Sequence, residues 1–507
     1  MKLKLVGHEY KYAVEQIMLA LFPNERPCYT SDHLTGSGEL YAESRLSIGS
    51  SFAQATTIMR CGDKVSRGIA RVRADKLSEK LIADRLLQRT IKQAFYRAAE
   101  VFIDSPPVWG SLTGIRPAKI AAAAIQSCTG FKAAADMLVR KYYVSRERAS
   151  MCLEAAKASI ALQRTISPGD IALYIGVPFC PTRCAYCSFV SNSVEKSHSL
   201  IGPFVETLLY EISVLADMVN DLKQHIISVY IGGGTPTALP EESLDKVMLA
   251  LKTSFDLSHV KEYTVEAGRP DTITPGSVDI IQRLGAGRIC VNPQSMSDSV
   301  LANIGRRHTR QDAIAAVKLI RSAAPDMSLN MDVIAGLPGD TPEGFRQTLD
   351  AVLGLGPENV TIHTLSLKKG SRIMLEGTDI PCASDVALML GYASNRLMEH
   401  GYAPYYLYRQ KFISGGFENT GWSLPGHEGV YNICMMEELC TVIALGGGGV
   451  TKLVSSNGRL ERIFNAKYPR EYILKAGEIT GKAEKIRRFI VHKQEEQDAV
   501  PILYRYH

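Results

Sequence analysis

The chain is 507 residues long, 46% hydrophobic and 22% charged, with 58 basic and 52 acidic residues for a net charge of +6. That length suits about three domains, or one large barrel with additions, and the mild, dispersed charge tolerates an anionic ligand without demanding a nucleic-acid partner. No uncharged apolar run reaches the ~18 residues that span a bilayer and no apolar signal core follows Met1, so a cytoplasmic protein without a membrane span is expected.

In chain order, residues 1–165 read as a mixed α/β N-terminal extension. A short strand (Lys2 to Gly7), a helix (Tyr12 to Phe22) and strands near Leu46 to Met59 precede a set of Arg-rich helices. The helix expected from Ala74 to Ile103 carries Leu77, Leu81, Leu86 and Leu87 at a period of about 3.6, and Pro106-Pro107 with Gly110 breaks it. Further helices are expected around Lys119 to Cys128, Phe131 to Arg140 and Ser145 to Arg164.

From Ile171 the pattern changes to β-branched runs alternating with helix-length segments. The runs are Ile171 to Val177, Ile226 to Ile231, Tyr263 to Glu266, Arg288 to Asn292, Leu329 to Ile334 and Val360 to Leu365. Successive βα units imply a parallel sheet, and six without an evident seventh imply an α/β fold built on a partial (β/α)6 TIM-type barrel over residues 166–378. In that arrangement chemistry gathers at the C-terminal ends of the strands. Residues 379–507 read as a mainly helical C-terminal domain on the substrate side. It has a helix from Ser384 to His400, a Gly-, Tyr- and Asn-rich segment to Gly429, and the glycine run Gly446 to Val450.

The eleven cysteines are odd in number and spread along the chain, which argues against a disulfide framework and for reduced thiols. Three lie close together: Cys180, Cys184 and Cys187, in a loop just beyond the first expected barrel strand. Thiolates are the soft ligands iron requires, and a CxxxCxxC loop can wrap one face of a [4Fe-4S] cubane, leaving one iron open. The alternatives are incidental buried thiols or a zinc site short of one ligand. Gly232-Gly-Gly-Thr-Pro236, one βα unit later, favours the cluster, because a glycine run lets backbone approach a polar ligand closely.

This pair of motifs resembles the radical S-adenosylmethionine (SAM) superfamily over about residues 170–370. The resemblance implies that Gly233, Gly234 and Thr235 receive the methionyl amino group of SAM. Electron transfer from the cluster would then cleave the sulfonium to a deoxyadenosyl radical.

The wider pattern is similar to the oxygen-independent coproporphyrinogen III oxidase (dehydrogenase) family. Tyr174 to Cys180 resembles its YxHIPFC segment, with Gly176 where His is usual; Gly232 to Leu239 resembles GGGTPTxL. Arg288 to Gln294, Gly305 to Thr309 and Asn330 to Pro338 resemble its later motifs in the same order. The resemblance implies SAM contacts at Tyr174, Tyr186, Glu266, Gln294, Arg306 and Asp332. Their donor and acceptor types suit ribose hydroxyls, an ammonium group and a carboxylate. Ser111 to Lys119 resembles the longer subgroup with an N-terminal extension, for which a structural brace is favoured over a substrate lid.

The family likeness implies removal of two propionate carboxyl groups from coproporphyrinogen III, giving protoporphyrinogen IX in anaerobic heme biosynthesis. It also implies one or two SAM molecules and an electron donor such as flavodoxin or ferredoxin. Arg409, Lys411, Lys368 and Lys369 are candidate anchors for the substrate carboxylates. Position 189 is Phe where better-characterised oxidases have a fourth cysteine, and Ser188-Phe189 resembles the related heme chaperones. A heme-binding chaperone therefore stays open, with His427, Cys434 and Met435 as iron-ligand types. A radical SAM enzyme acting on another tetrapyrrole, or on RNA, is the third reading, although no basic patch with interleaved aromatics is evident.

Overall fold

The computed structural model describes residues 1–30, 38–187, 192–366, 371–410, 414–455 and 458–498. It divides into two compact units, Met1–Leu153 with two short segments near Arg409 and Gly415, and the remainder from Glu154.

The first unit holds a five-stranded sheet in the order Cys28–Tyr29, Lys2–Val6, Tyr41–Ile48, Phe52–Cys61, Lys64–Arg73. Helices Lys11–Leu21 and Lys80–Ala99 bury Val14, Ile17, Ile91 and Phe95 in one apolar core with Leu3 and Met59 from the sheet. Two details differ from the sequence expectation. Lys64–Arg73 is a strand, paired antiparallel with Phe52–Cys61, whose buried Gly68, Ala70 and Val72 alternate with exposed Arg67, Arg71 and Arg73. The helix expected from Ala74 is cut back to Lys80–Ala99, because short 3-10 turns at Ala74–Leu77 and Glu100–Phe102 take up its ends.

The second unit is organised on an eleven-stranded sheet. Its centre is a run of parallel strands in sequence order: Asp170–Val177, His225–Gly233, Glu262–Gly268, Arg288–Val291, Ser328–Ala335 and Asn359–Thr364. These are the six expected strands, and their near-continuous burial is what a parallel sheet covered on both faces requires. Helices follow each strand, among them Val194–Asp221, Glu241–Ser254, Pro275–Arg283, Arg310–Ala323 and Pro342–Leu353. Val194–Asp221 is long and apolar enough to cross a bilayer by composition, and half of that apolar window is buried within the fold.

The six expected units are all present, and one strand from the C-terminal segment joins them. Thr441–Gly446 pairs parallel with Asp170–Val177, adding a seventh parallel strand on the first strand's free side. Its apolar run had merged with the glycine run that follows it. The C-terminal segment contains helices Ala383–Glu399, Val430–Glu437, Pro469–Leu474 and Ile479–Asp498. It also supplies strands Ala403–Arg409 and Glu418–Ser423 at one sheet edge, and Val450–Val454 with Leu460–Phe464 at the other.

Candidate functional site

The cysteine loop leaves the C-terminal end of the first barrel strand, and its base is closed by Phe179–Cys180 pairing with Asn192–Ser193. Its far side is tied to the segment before Arg306: Ala185 N donates to Ile304 O at 2.9 Å, and Thr182 Oγ1 donates to Gly305 O at 3.2 Å. Cys180, Cys184 and Cys187 are partly exposed thiols, none of them in a disulfide. No three His, Cys, Asp or Glu side chains converge on a single metal ion among the described residues. A cubane does not require that, since each of its thiolates binds a different iron.

The glycine turn is set against this loop. Gly234 N donates to Val177 O at 2.7 Å and Thr235 N to Phe179 O at 2.7 Å, while Thr235 Oγ1 lies 3.5 Å from Cys180 Sγ. A side chain at 234 would place its Cβ 2.4 Å from Phe179 O and 3.0 Å from Cys180 Sγ. Three adjacent strands carry glycine at one register, Gly446 beside Gly176 beside Gly232. Over Gly232 the space a Cβ would fill is bordered by Glu266 Oε2 at 2.7 Å and the Tyr230 ring at 2.8 Å. The result is a backbone-lined cradle with a carboxylate at its edge.

Glu266 and Asp332 interact electrostatically across the strand ends, and they titrate apart. Burial, reinforced by the Asp332 charge, pushes the Glu266 carboxyl up to about 8. Burial also opposes the Asp332 charge, but His363 Nε2, 3.5 Å away, and the Asn330 amide at 2.8 Å more than offset it and hold that carboxyl below its ordinary value. Environments that push two carboxyl groups apart are characteristic of functional sites.

Gln294 is buried, with a backbone φ of 69°, and is held there by its N–H to Asp332 O and by Ile334 N–H to its own carbonyl, both 3.0 Å. Left-handed backbone at a non-glycine residue is a local strain that its surroundings must enforce. Arg306 donates to Asn292 O at 2.6 Å and to Tyr186 OH at 3.1 Å, and also interacts electrostatically with Cys184. Burial works against its charge, yet Tyr186 and Cys184 keep its pKa raised. Tyr174 stacks at 6.3 Å with Tyr230 and at 5.9 Å with Tyr431, while Tyr230 and Tyr431 stack at 4.4 Å.

A family model described as the Radical SAM superfamily matches residues 174–352. The oxygen-independent coproporphyrinogen-III oxidase-like protein HemZ of Bacillus subtilis is 36% identical over 392 residues, 76% of this chain and 78% of its own length.

The chain belongs to the radical SAM family of oxygen-independent coproporphyrinogen-III oxidase-like proteins.

The heme chaperone HemW of Escherichia coli is 26% identical over 60% of this chain and 75% of its own length. Among solved structures, coproporphyrinogen III oxidase (HemN) from Escherichia coli shares the fold, with a TM-score of 0.50 at 19% identity over 64% of this chain and 72% of that one. Membership of the radical SAM superfamily implies a [4Fe-4S] cluster and SAM, and the donor set fits both. Three cysteine thiols outside any disulfide share one loop, the glycine cradle adjoins it, and the buried Nε of Arg306 and Oδ1 of Asn292 have no hydrogen-bond partner among the described residues.

Other residues singled out from sequence sit elsewhere. Lys368, Lys369, Lys411, Ser188 and Phe189 lie outside the described residues. Arg409 spends its donors on backbone carbonyls of Leu112 and Gly416 and lies over the Trp109 ring, so it is a structural cation rather than a presented anchor. His427 is held at the N-terminal ends of the strands: Ser328 Oγ is 3.0 Å from its Nδ1, and Arg288 and Asn359 donate to its carbonyl. Cys434 is buried beside Cys440, and the Met435 carbonyl accepts from Lys452. These three positions therefore do not gather around the cysteine loop. Sequence reasoning missed Arg269, His363, Tyr230 and Tyr431, whose relevance arises only from distant segments meeting.

Three glycines of the late run, Gly446, Gly447 and Gly449, face protein, while Gly448 borders open space. A Cβ at Gly446 would fall 2.3 Å from Gly176 O, and one at Gly447 would fall 2.7 Å from Pro178 Cγ. A Cβ at Gly176 would in turn fall 2.5 Å from Gly447 O. The glycine at position 176 is thus matched to this run. Gly176→His is expected to lower stability by about 1–3 kcal/mol through overpacking and to reduce cluster retention; urea unfolding with iron analysis checks this, and an unchanged midpoint contradicts it.

Glu266 yields a pH prediction. Its carboxyl keeps its proton up to about 8 in the fold against 4.5 for an ordinary glutamate, so between those values the folded chain holds more protons and stability falls as pH rises. Glu266→Gln removes that loss. The cluster-free variant is expected to gain on wild type from about pH 5 to about pH 8 and then run parallel. Melting across this range checks it, and a gap independent of pH contradicts it.

Proposed function

We propose that this chain is a radical SAM oxidoreductase, a coproporphyrinogen III dehydrogenase, acting in the cytoplasm in anaerobic heme biosynthesis. The observation that carries the reading is the juxtaposition of three cysteine thiols outside any disulfide, the glycine cradle and the Glu266–Asp332 pair at one end of the strands. The 36% identity to a coproporphyrinogen-III oxidase-like protein across most of the chain supports it. Bound at this end, a [4Fe-4S] cluster and SAM supply a one-electron cleavage whose product removes hydrogen from an unactivated carbon.

In this reading Cys180, Cys184 and Cys187 hold the cluster. Gly233, Gly234 and Thr235 offer backbone and hydroxyl groups to the methionyl end of SAM. Arg306 offers its free edge to a carboxylate, while Glu266, Gln294 and Asp332 offer acceptors and donors to ribose hydroxyls or an ammonium group. Tyr174 and Tyr186 flank the site, and the Tyr174–Tyr431–Tyr230 stack fills the space behind it, excluding water. On each of two propionates, one β-hydrogen atom passes to the SAM-derived product, CO2 leaves, and one electron passes to an external one-electron acceptor, which leaves a vinyl group. An external donor such as flavodoxin or ferredoxin supplies the initiating electron. One or two SAM molecules bind.

The test is anaerobic incubation of the reconstituted chain with SAM, a reductant and coproporphyrinogen III, followed by mass analysis. Loss of two CO2 per porphyrinogen is expected; SAM cleavage with an intact substrate contradicts the reading. A heme-trafficking role is the second reading, favoured by the 26% identity to a heme chaperone. Tight heme binding without decarboxylation in the same experiment selects it.

A further inference from the structure

Arg269 follows directly on the third barrel strand, Glu262–Gly268, and is only 3% exposed. Its Nε and Nη2 donate to the two carboxylate oxygens of Asp271 at 3.0 and 3.1 Å. Such a bidentate fork fixes the plane of the guanidinium. The third nitrogen, Nη1, therefore has one direction available, and it faces the cysteine loop, 3.1 Å from Thr182 Oγ1 and 3.9 Å from Cys184 Sγ.

The far side of the pair is closed by His308, 2% exposed, whose Nδ1 lies 3.7 Å from Asp271 Oδ1. Burial and the two nearby guanidiniums, those of Arg306 and Arg269, push this imidazole down to about 4, so it is neutral and leaves the Arg269 charge to face Cys184. A buried guanidinium is costly even when paired. Its position beside one thiol of the three gives that cost a consequence, because hydrogen bonds and charge at ligand sulfurs set cluster potentials.

We propose that Arg269 is an electrostatic partner of the cluster, donating an N–H to the Cys184 sulfur and raising the reduction potential, with Asp271 moderating its charge. The donor draws electron density from the thiolate and so favours the reduced cluster. This rests on Cys184 being a cluster ligand, and it adds a residue that no motif of the family likeness includes. Arg306 also faces Cys184 but is engaged with Tyr186 and Asn292.

The experiment is a potentiometric titration, followed by electron paramagnetic resonance, of the full reconstituted chain without SAM. Arg269→Gln is expected to shift the one-electron equilibrium about tenfold toward the oxidised cluster, about 59 mV for such a couple. Arg269→Lys, which keeps charge without the fork, should fall between. Asp271→Asn should shift the opposite way, since the guanidinium charge is then uncompensated. Equal potentials in wild type and Arg269→Gln, or a shift of Asp271→Asn in the same direction as Arg269→Gln, overturn the proposal. If Arg269→Gln loads no iron, Asp271→Asn against wild type decides it alone. A wild-type chain that takes up no cluster overturns the ligand assignment beneath it.

Discussion

Cys184→Ala is expected to yield a folded chain that no longer retains a [4Fe-4S] cluster. The loop that carries Cys184 is held by backbone, through Ala185 to Ile304 and through the short Phe179–Cys180 ladder, with the thiol adding its contacts to Arg269 and Arg306. Removing the sulfur therefore costs one of three ligands without unfolding the loop. With only two thiolates the cluster loses the tridentate grip on which its site is built. Visible absorbance and iron content after anaerobic reconstitution should fall to background, while the melting midpoint of the cluster-free chain should stay near wild type. Full cluster retention in this variant would contradict the ligand assignment.

The largest expected effect on stability comes from Glu211, 1% exposed on the helix Val194–Asp221. Its Oε1 accepts from Lys482 Nζ at 2.8 Å, and its Oε2 accepts from Tyr472 OH at 2.5 Å and from Gly446 N at 2.7 Å. Asn465 donates to the same carboxylate at 3.1 Å and accepts from Lys482 at 2.8 Å. Every polar group in this network has a partner, which is the condition under which a buried pair is tolerated. Deleting one member strands the other charge, so Glu211→Ala should lose about 3–5 kcal/mol, and Glu211→Gln less.

The loss should also reach the site. Gly446 is the residue whose N–H Glu211 holds, and Gly446 lies against Gly176, four residues before Cys180. Urea unfolding of the two variants with cluster occupancy measured in parallel checks both parts. A double change, Glu211→Gln with Lys482→Met, should recover part of the stability, because no isolated charge is then buried. A Glu211→Ala chain as stable as wild type would contradict the account of this network.

What could be read beforehand divides along a physical line. The six central strands were legible because each is a short β-branched run whose burial depends on its own residues, and all six lie within two residues of expectation at each end. The cysteine loop and glycine turn were legible because their chemistry is local in sequence. The strand Lys64–Arg73 was missed because its arginines alternate with Gly68, Ala70 and Val72, small residues that give a weak hydrophobic signal. Thr441–Gly446 was missed because its pairing partner, Asp170–Val177, lies far back in the chain.

The same limit applies to the site. Glu211 and Lys482 meet across 271 positions, and Arg269 approaches Cys184 across 85. No local pattern announces either meeting. Gln294 was marked by motif, but its left-handed backbone follows from strand neighbours on both sides of Val333 and not from glutamine's own preference.

The most direct test of the central claim, that Cys180, Cys184 and Cys187 carry a radical SAM centre, is reductive SAM cleavage by the anaerobically reconstituted full-length chain. With dithionite as reductant, iron and sulfide in the ratio of a [4Fe-4S] cluster should accompany formation of 5′-deoxyadenosine and methionine in equal amounts. A chain that binds zinc in place of the cluster, or holds the cluster and leaves SAM intact, would contradict it.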